Sequence, residues 1–169
     1  MASRIKNAGV ARWILAGIVL GTFLKLFAFD ILTISGTSME PALHEGAVVV
    51  VNKFAYGLVR PGNRTFFVQW KTPAHDDIVI YLHDDKIVIK RCIALGGDRL
   101  EYFTNPEYTL HVGEKSVTLT AAQYAHLHAS TTVPDGYVLA VGDNYTESID
   151  SRDYGFVSVK NIVGRVIGR

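Results

Sequence analysis

The apolar positions of this chain fall into two regimes. Trp13 to Leu24 (WILAGIVLGTFL) carries no charge; Lys25 interrupts, Leu26 to Phe29 resumes the run and Asp30 closes it. Arg4, Lys6 and Arg12 precede it with no acidic residue among them. Wound as an α-helix, Val10 to Phe29 is about 30 Å long, enough to cross the hydrocarbon core of a bilayer. A cleaved signal peptide would share the basic head. Its cleavage site needs small residues, however, and the candidate Ala28 has bulky Leu26 at the −3 position. The pattern predicts an uncleaved anchor: residues 1–9 a cytoplasmic basic head, residues 10–30 a single transmembrane span, residues 31–169 a domain outside. Lys25 would lie near the outer end, where its stem can reach the interface. An amphipathic surface helix and a buried core helix are the alternatives for the same run.

Beyond Asp30 the pattern becomes that of strands. Ala47–Val51 (AVVVV), Asp77–Leu82 (DIVIYL) and Lys86–Leu95 (KIVIKRCIAL) are β-branched runs, the last two joined by the hairpin-like link His83-Asp84-Asp85. Thr109–Val112, Ser116–Leu119, Tyr137–Val141 and Ile162–Ile167 are weaker strands. Gly96-Gly97 and Pro134-Asp135-Gly136 mark turns, and only Ala121–His128 reads as a helix. Arg60–Pro73, with Phe66, Phe67 and Trp70, reads as an extended loop or hairpin near the membrane, or as a packed satellite cluster. Many short strands between turns predict a mainly β domain, a sandwich or partly open barrel.

Composition narrows the function. Apolar residues make up 49% of the 169, ample for one core. A net charge of +1 excludes a general nucleic-acid binder, which needs a basic excess. The single cysteine, Cys92, excludes an intrachain disulfide and a cysteine metal cluster. The histidines stand in no triad context, and His126 and His128 are too close in sequence to share a helix face. Lys90 stands out. Alternation puts it on one strand face with Val88, Cys92 and Ala94, where small apolar neighbours would desolvate its amine and lower its pKa. A neutral amine near Ser38 could take the serine's proton. A solvated edge-strand lysine is the other reading of the same residue.

Three segments then resemble one family. Ser35-Gly36-Thr37-Ser38-Met39-Glu40-Pro41-Ala42-Leu43, the segment Ile89 to Asp98 (IKRCIALGGD), and Gly142 to Gly155 (GDNYTESIDSRDYG) follow in order behind the apolar run. Together with the strand at Asp77–Tyr81 they are similar to the boxes of bacterial signal peptidase I, the membrane-bound Ser–Lys protease that removes signal peptides. The resemblance covers Leu24 to Arg169 and implies a β-rich fold. It implies Ser38 as nucleophile, Lys90 as general base, and Ser148 as the hydroxyl that orients the amine. It implies Asp150 and Arg152 as a supporting charge pair, and Gly142, Asp143 and Asn144 as the turn that shapes the site. Ile34, Met39, Leu43 and Ile89 are implied to line shallow pockets for small residues at −1 and −3. The reaction implied needs no metal and no cofactor, and the partners implied are signal peptides of secreted preproteins and membrane lipid, not nucleic acid.

The chain departs from the family at two places. Gly36 stands where some members have a serine that aids the oxyanion hole, which leaves backbone donors such as the Ser38 N–H. Ala94 and Gly96 replace the glycine and proline usual before Gly97-Asp98. Residues 99–141 are too few for the full extra domain of some members, so a compact form is expected. A dedicated maturation protease with one partner, a self-cleaving repressor-type Ser–Lys protein, and an inactive membrane-anchored peptide-binding domain remain as alternatives. The anchor and the third segment speak against the repressor type, and intact Ser38, Lys90 and Ser148 against the inactive domain.

Overall fold

The computed structural model describes residues 2–60 and 66–168. The chain opens with α1 (Ala2–Phe23), whose last turns continue as a π-helical segment, Leu24–Ala28. Strand β1 (Phe29–Thr33) follows without a linker. This moves a boundary: Phe29 and Asp30, expected in the span, belong to the sheet. Among the described residues no helix is long and apolar enough to cross a membrane. The uncharged part of α1, Trp13–Phe23, is only about 16 Å long. The joint between helix and strand is pinned by Lys53. Its backbone N–H donates to the Ala28 carbonyl at 2.8 Å, and its ammonium to the Lys25 carbonyl at 3.2 Å and to Asp30 at 2.8 Å.

The domain is mainly β. Strands β2 (Val48–Asn52), β3 (Gly57–Val59), β4 (Phe66–Gln69), β5 (Ile78–His83), β6 (Lys86–Leu95), β7 (Glu101–Phe103), β8 (Thr109–Val112) and β9 (Lys115–Thr118) precede helix α2 (Ala121–Leu127). β10 (Tyr137–Val141), the short helix α3 (Ser151–Tyr154), β11 (Val157–Ser158) and β12 (Ile162–Gly168) complete it. A seven-stranded antiparallel sheet runs β1-β2-β12-β5-β6-β10-β11, so it stays open at β1 and β11. β4 falls within the Arg60–Pro73 stretch read from sequence as loop or hairpin and pairs with β3 just before it; residues 61–65 of that stretch lie outside the described residues. The predicted hairpin link tightens to Asp84-Asp85, both at positive φ (48° and 59°), the twist a two-residue turn requires.

β6 pairs with β10 across a bulge at Ile93: Leu139 faces Ala94 but Ala140 faces Cys92. The extra residue breaks the alternation. Cys92 packs with Val88, Tyr81 and Val138, whereas Ala94 turns with Ile93 into the core against β8 and β9 (Leu110, Val112, Val117). Ala94 therefore does not share Lys90's face, contrary to the strict period-2 reading. Cys92 is a core residue, its thiol pushed up to about 12 by burial. A third cluster, Ile34, Met39, Leu43 and Val49, sits under the segment that carries Ser38.

Candidate active site

The sequence brings Ser38 and Lys90 together from opposite parts of the sheet. The chain leaves β1 through Ile34–Gly36, then coils in a turn closed by Glu40 N–H on Thr37 carbonyl (3.0 Å) and Leu43 N–H on Met39 carbonyl (2.8 Å). Met39 and Leu43 point down into the third cluster, which leaves Ser38 half-exposed at the top. Lys90 lies on β6, 5% exposed, with its Nζ 2.6 Å from Ser38 Oγ. Burial lowers the lysine's pKa, with a further push from the Arg152 guanidinium; the Asp150 and Asp143 carboxylates act the other way.

The loop after β10 holds this pair in place. Asn144 donates its N–H to the Ser38 carbonyl at 3.0 Å and its side-chain amide to the Thr37 carbonyl at 3.3 Å. Asp143 accepts two bonds from Arg91, at 2.7 and 2.6 Å, so the residue after the candidate base ties the loop to β6. Gly142 has no room for a side chain: a Cβ there would lie 2.7 Å from Ser148 Cβ and overlap its hydroxyl. The resemblance put Gly142, Asp143 and Asn144 in the shaping turn, and these are the contacts they make.

Asp150 and Arg152 are both buried, at 0% and 1% exposure, and form a two-bond ion pair at 2.9 Å each. Asp150 also caps α3 and accepts from Gly142 N–H (2.9 Å) and Ser148 Oγ (2.6 Å). Arg152 donates its remaining N–H groups to the carbonyls of Thr118, Tyr145 and Ser148. The Ser148 hydroxyl donates to Asp150, and among the described residues the Lys90 amine hydrogen-bonds to Ser38 and not to Ser148.

One depression runs from Ser38 and Lys90 along Ile34, Met39 and Ile89, between β1 and the start of β6. Leu43, expected among the lining residues, is buried in the same cluster as Met39 but does not border the depression. β10 pairs with β6 only from Arg91 onward, so among the described residues Lys86–Lys90 is paired on the β5 side alone, and β1 is itself an edge. Ser38 N–H has no acceptor among the described residues. Nor do the described residues hold a group of three or more His, Cys, Asp or Glu suited to a metal.

Gln123 escaped the sequence reading, as did the pairing of Arg91 with Asp143. Gln123 is buried on α2; its Oε1 accepts Thr120 N–H and its Nε2 donates to Asp153 Oδ1 at 2.9 Å, while Asp153 Oδ2 accepts Asp150 N–H. One amide thus links the far subdomain to the Asp150 loop. The signal in sequence was Thr120-x-x-Gln123, a capping box. Gln123→Leu is expected to cost about 1–3 kcal/mol in urea unfolding and to speed amide exchange at Tyr154 and Gly155. Unchanged protection at those amides would show the link to be idle.

Residues 7–169 match the family described as signal peptidase, peptidase S26. A signal peptidase I of Bacillus caldolyticus is 32% identical over 170 residues, covering 91% of this chain and 85% of the relative. Signal peptidase I V of Bacillus subtilis (strain 168) is 32% identical over 169 residues, covering 90% and 94%. Among solved structures, a signal peptidase I from Enterococcus faecalis V583 is 28% identical, covers 57% of this chain and 98% of its own, and superposes with a TM-score of 0.43. The chain belongs to the signal peptidase family, peptidase S26, and is a serine endopeptidase with type I signal peptidase function.

Proposed function

We propose that Ser38 and Lys90 form the catalytic dyad that cuts exported preproteins after an Ala-x-Ala sequence. The observation that carries this reading is the 2.6 Å contact between a buried amine and a half-exposed serine hydroxyl. Neutral Lys90 removes the hydroxyl proton as Oγ bonds to the substrate carbonyl carbon. The unpaired Ser38 N–H faces the developing oxyanion; Gly36 brings no side chain, and its own N–H is taken by Glu45 at 3.2 Å. Collapse breaks the C–N bond, and the Lys90 ammonium gives its proton to the leaving nitrogen. A water, deprotonated by the same amine, then releases the acyl group. Ser148, Asp150 and Arg152 support this through the loop, and Asp143 and Asn144 fix the Ser38 turn.

An extended substrate fits between the two unpaired edges, where backbone hydrogen bonds supply affinity whatever the sequence. Ile34, Met39 and Ile89 leave room only for small side chains, and Leu43 supports their packing from below. Membrane attachment through the N-terminal helix, with the head inside and the domain outside, belongs to the same reading. Val10, Trp13, Ile14, Leu15, Ile18, Val19 and Leu20 are exposed on every side of α1, and Phe29, Ile31, Val48 and Val50 continue the apolar surface onto the sheet. Water does not tolerate such a surface; lipid does.

The test is cleavage of a preprotein by the detergent-solubilised chain, read by mass spectrometry. Cleavage is expected after the second alanine and is lost when that alanine becomes leucine. The rate rises from acid through the lowered lysine pKa, because only the neutral amine is a base. A rate that climbs steadily into acid, or cleavage indifferent to leucine, overturns the reading.

A further inference from the structure

We propose that the groove between β9–α2 and residues 145–153 receives the residues that follow the cleaved bond, and that Glu147 and Asp153 on its rim disfavour acidic side chains there. The proposal rests on the dyad reading above.

Ile149 is 76% exposed, unusual for an isoleucine beside a buried loop core. It is the wall of two depressions. On one side lies the apolar cleft with Ser38, Lys90, Ile34, Met39 and Ile89. On the other lies a second groove, with Leu119 in its floor and Thr118, Thr120, Tyr145, Glu147 and Asp153 around it. If the segment before the cleaved bond fills the apolar cleft, the segment after it leaves the nucleophile past Ile149. This groove is the next concavity it meets.

The groove's accessible charge is negative. Arg152 also borders it, but it is 1% exposed and its N–H groups are spent on Asp150 and three carbonyls. The Asp153 carboxylate accepts only neutral donors, Gln123 and the Asp150 N–H, so its charge is uncompensated. Glu147 is exposed, and its carboxylate has no partner among the described residues. An acidic side chain here meets like charge with no basic group to offset it.

The test uses three peptides with Ala-x-Ala before the bond and Lys, Gln or Glu at both the second and third positions after it. The full-length chain in detergent is expected to give kcat/KM in the order Lys, Gln, Glu, with about two- to five-fold between steps. Added salt should compress the series, since the groove is exposed to solvent. Glu147→Gln narrows it and Glu147→Lys flattens it, since Asp153 keeps its charge, whereas Glu114→Lys, in the β8–β9 turn and not among the groove's lining residues, leaves it alone. A flat wild-type series, or a spread undiminished in Glu147→Lys, overturns the groove assignment while the dyad stands. Absence of cleavage of all three peptides by folded wild type overturns the dyad reading, and the groove with it.

Discussion

Ser38→Ala and Lys90→Met each lower kcat by at least about 10³-fold, and the double variant falls no further, because the two groups act as one unit. The same lysine variant melts at a higher temperature than wild type. Burial holds the folded lysine's pKa below that of the unfolded chain, so at neutral pH the unfolded state binds the proton more readily. Wild type is therefore penalised most below the folded pKa, and the penalty fades as pH rises to the unfolded value near ~10.4. Methionine removes it and fills the space of the stem. The gain in Tm should be greatest at acid and neutral pH and shrink toward alkaline pH. A Lys90→Met chain that retains a tenth of its turnover, or melts below wild type across the whole range, contradicts this account of the dyad.

Arg152→Met is expected to destabilise the domain by about 3–5 kcal/mol in urea unfolding, the usual cost of leaving a buried charge without its partner. Asp150 would then be a carboxylate at 0% exposure with only neutral donors, and the carbonyls of Thr118, Tyr145 and Ser148 would lose theirs. Asp150→Asn on the Arg152→Met background should recover part of the loss by removing the charge. It should restore little activity, since the carbonyls stay unpaired and the loop that meets Ser38 stays loose. A cost under about 1 kcal/mol for Arg152→Met would mean that the pair behaves like one at the surface.

The strands with strong β-branched runs were legible because their pattern is local. Lys86–Leu95 and Tyr137–Val141 match their sequence-read bounds residue for residue. β1 was not legible, since Phe29 ends the apolar run, Asp30 reads as the span's close, and only Ile31-Leu32-Thr33 remains as a strand pattern. Nor was the bulge at Ile93, which is set by the partner strand and moves Ala94 to the other face. The pairing of Ser38 with Lys90 came from the resemblance, not from the residues. Leu43 and Ser148 show the limit of such a transfer. Position in a motif does not say whether a leucine borders the cleft or only packs below it, nor which neighbour a hydroxyl is bonded to.

The pinned joint between helix and sheet has a mechanical consequence. The helix passes into β1 with no coil between, and Lys53 ties both sides of the junction. The five residues of β1 span about 17 Å, and that strand leads directly to the cleft wall at Ile34. A stiff strut of that kind cannot swing to search for a substrate. If helix and substrate share a bilayer, the height of the blade above the lipid is set by the strut. Choice of bond then becomes partly a matter of length: a pair of alanines one or two residues out of place, about 3–7 Å along an extended chain, misses the blade however well it fits the pockets.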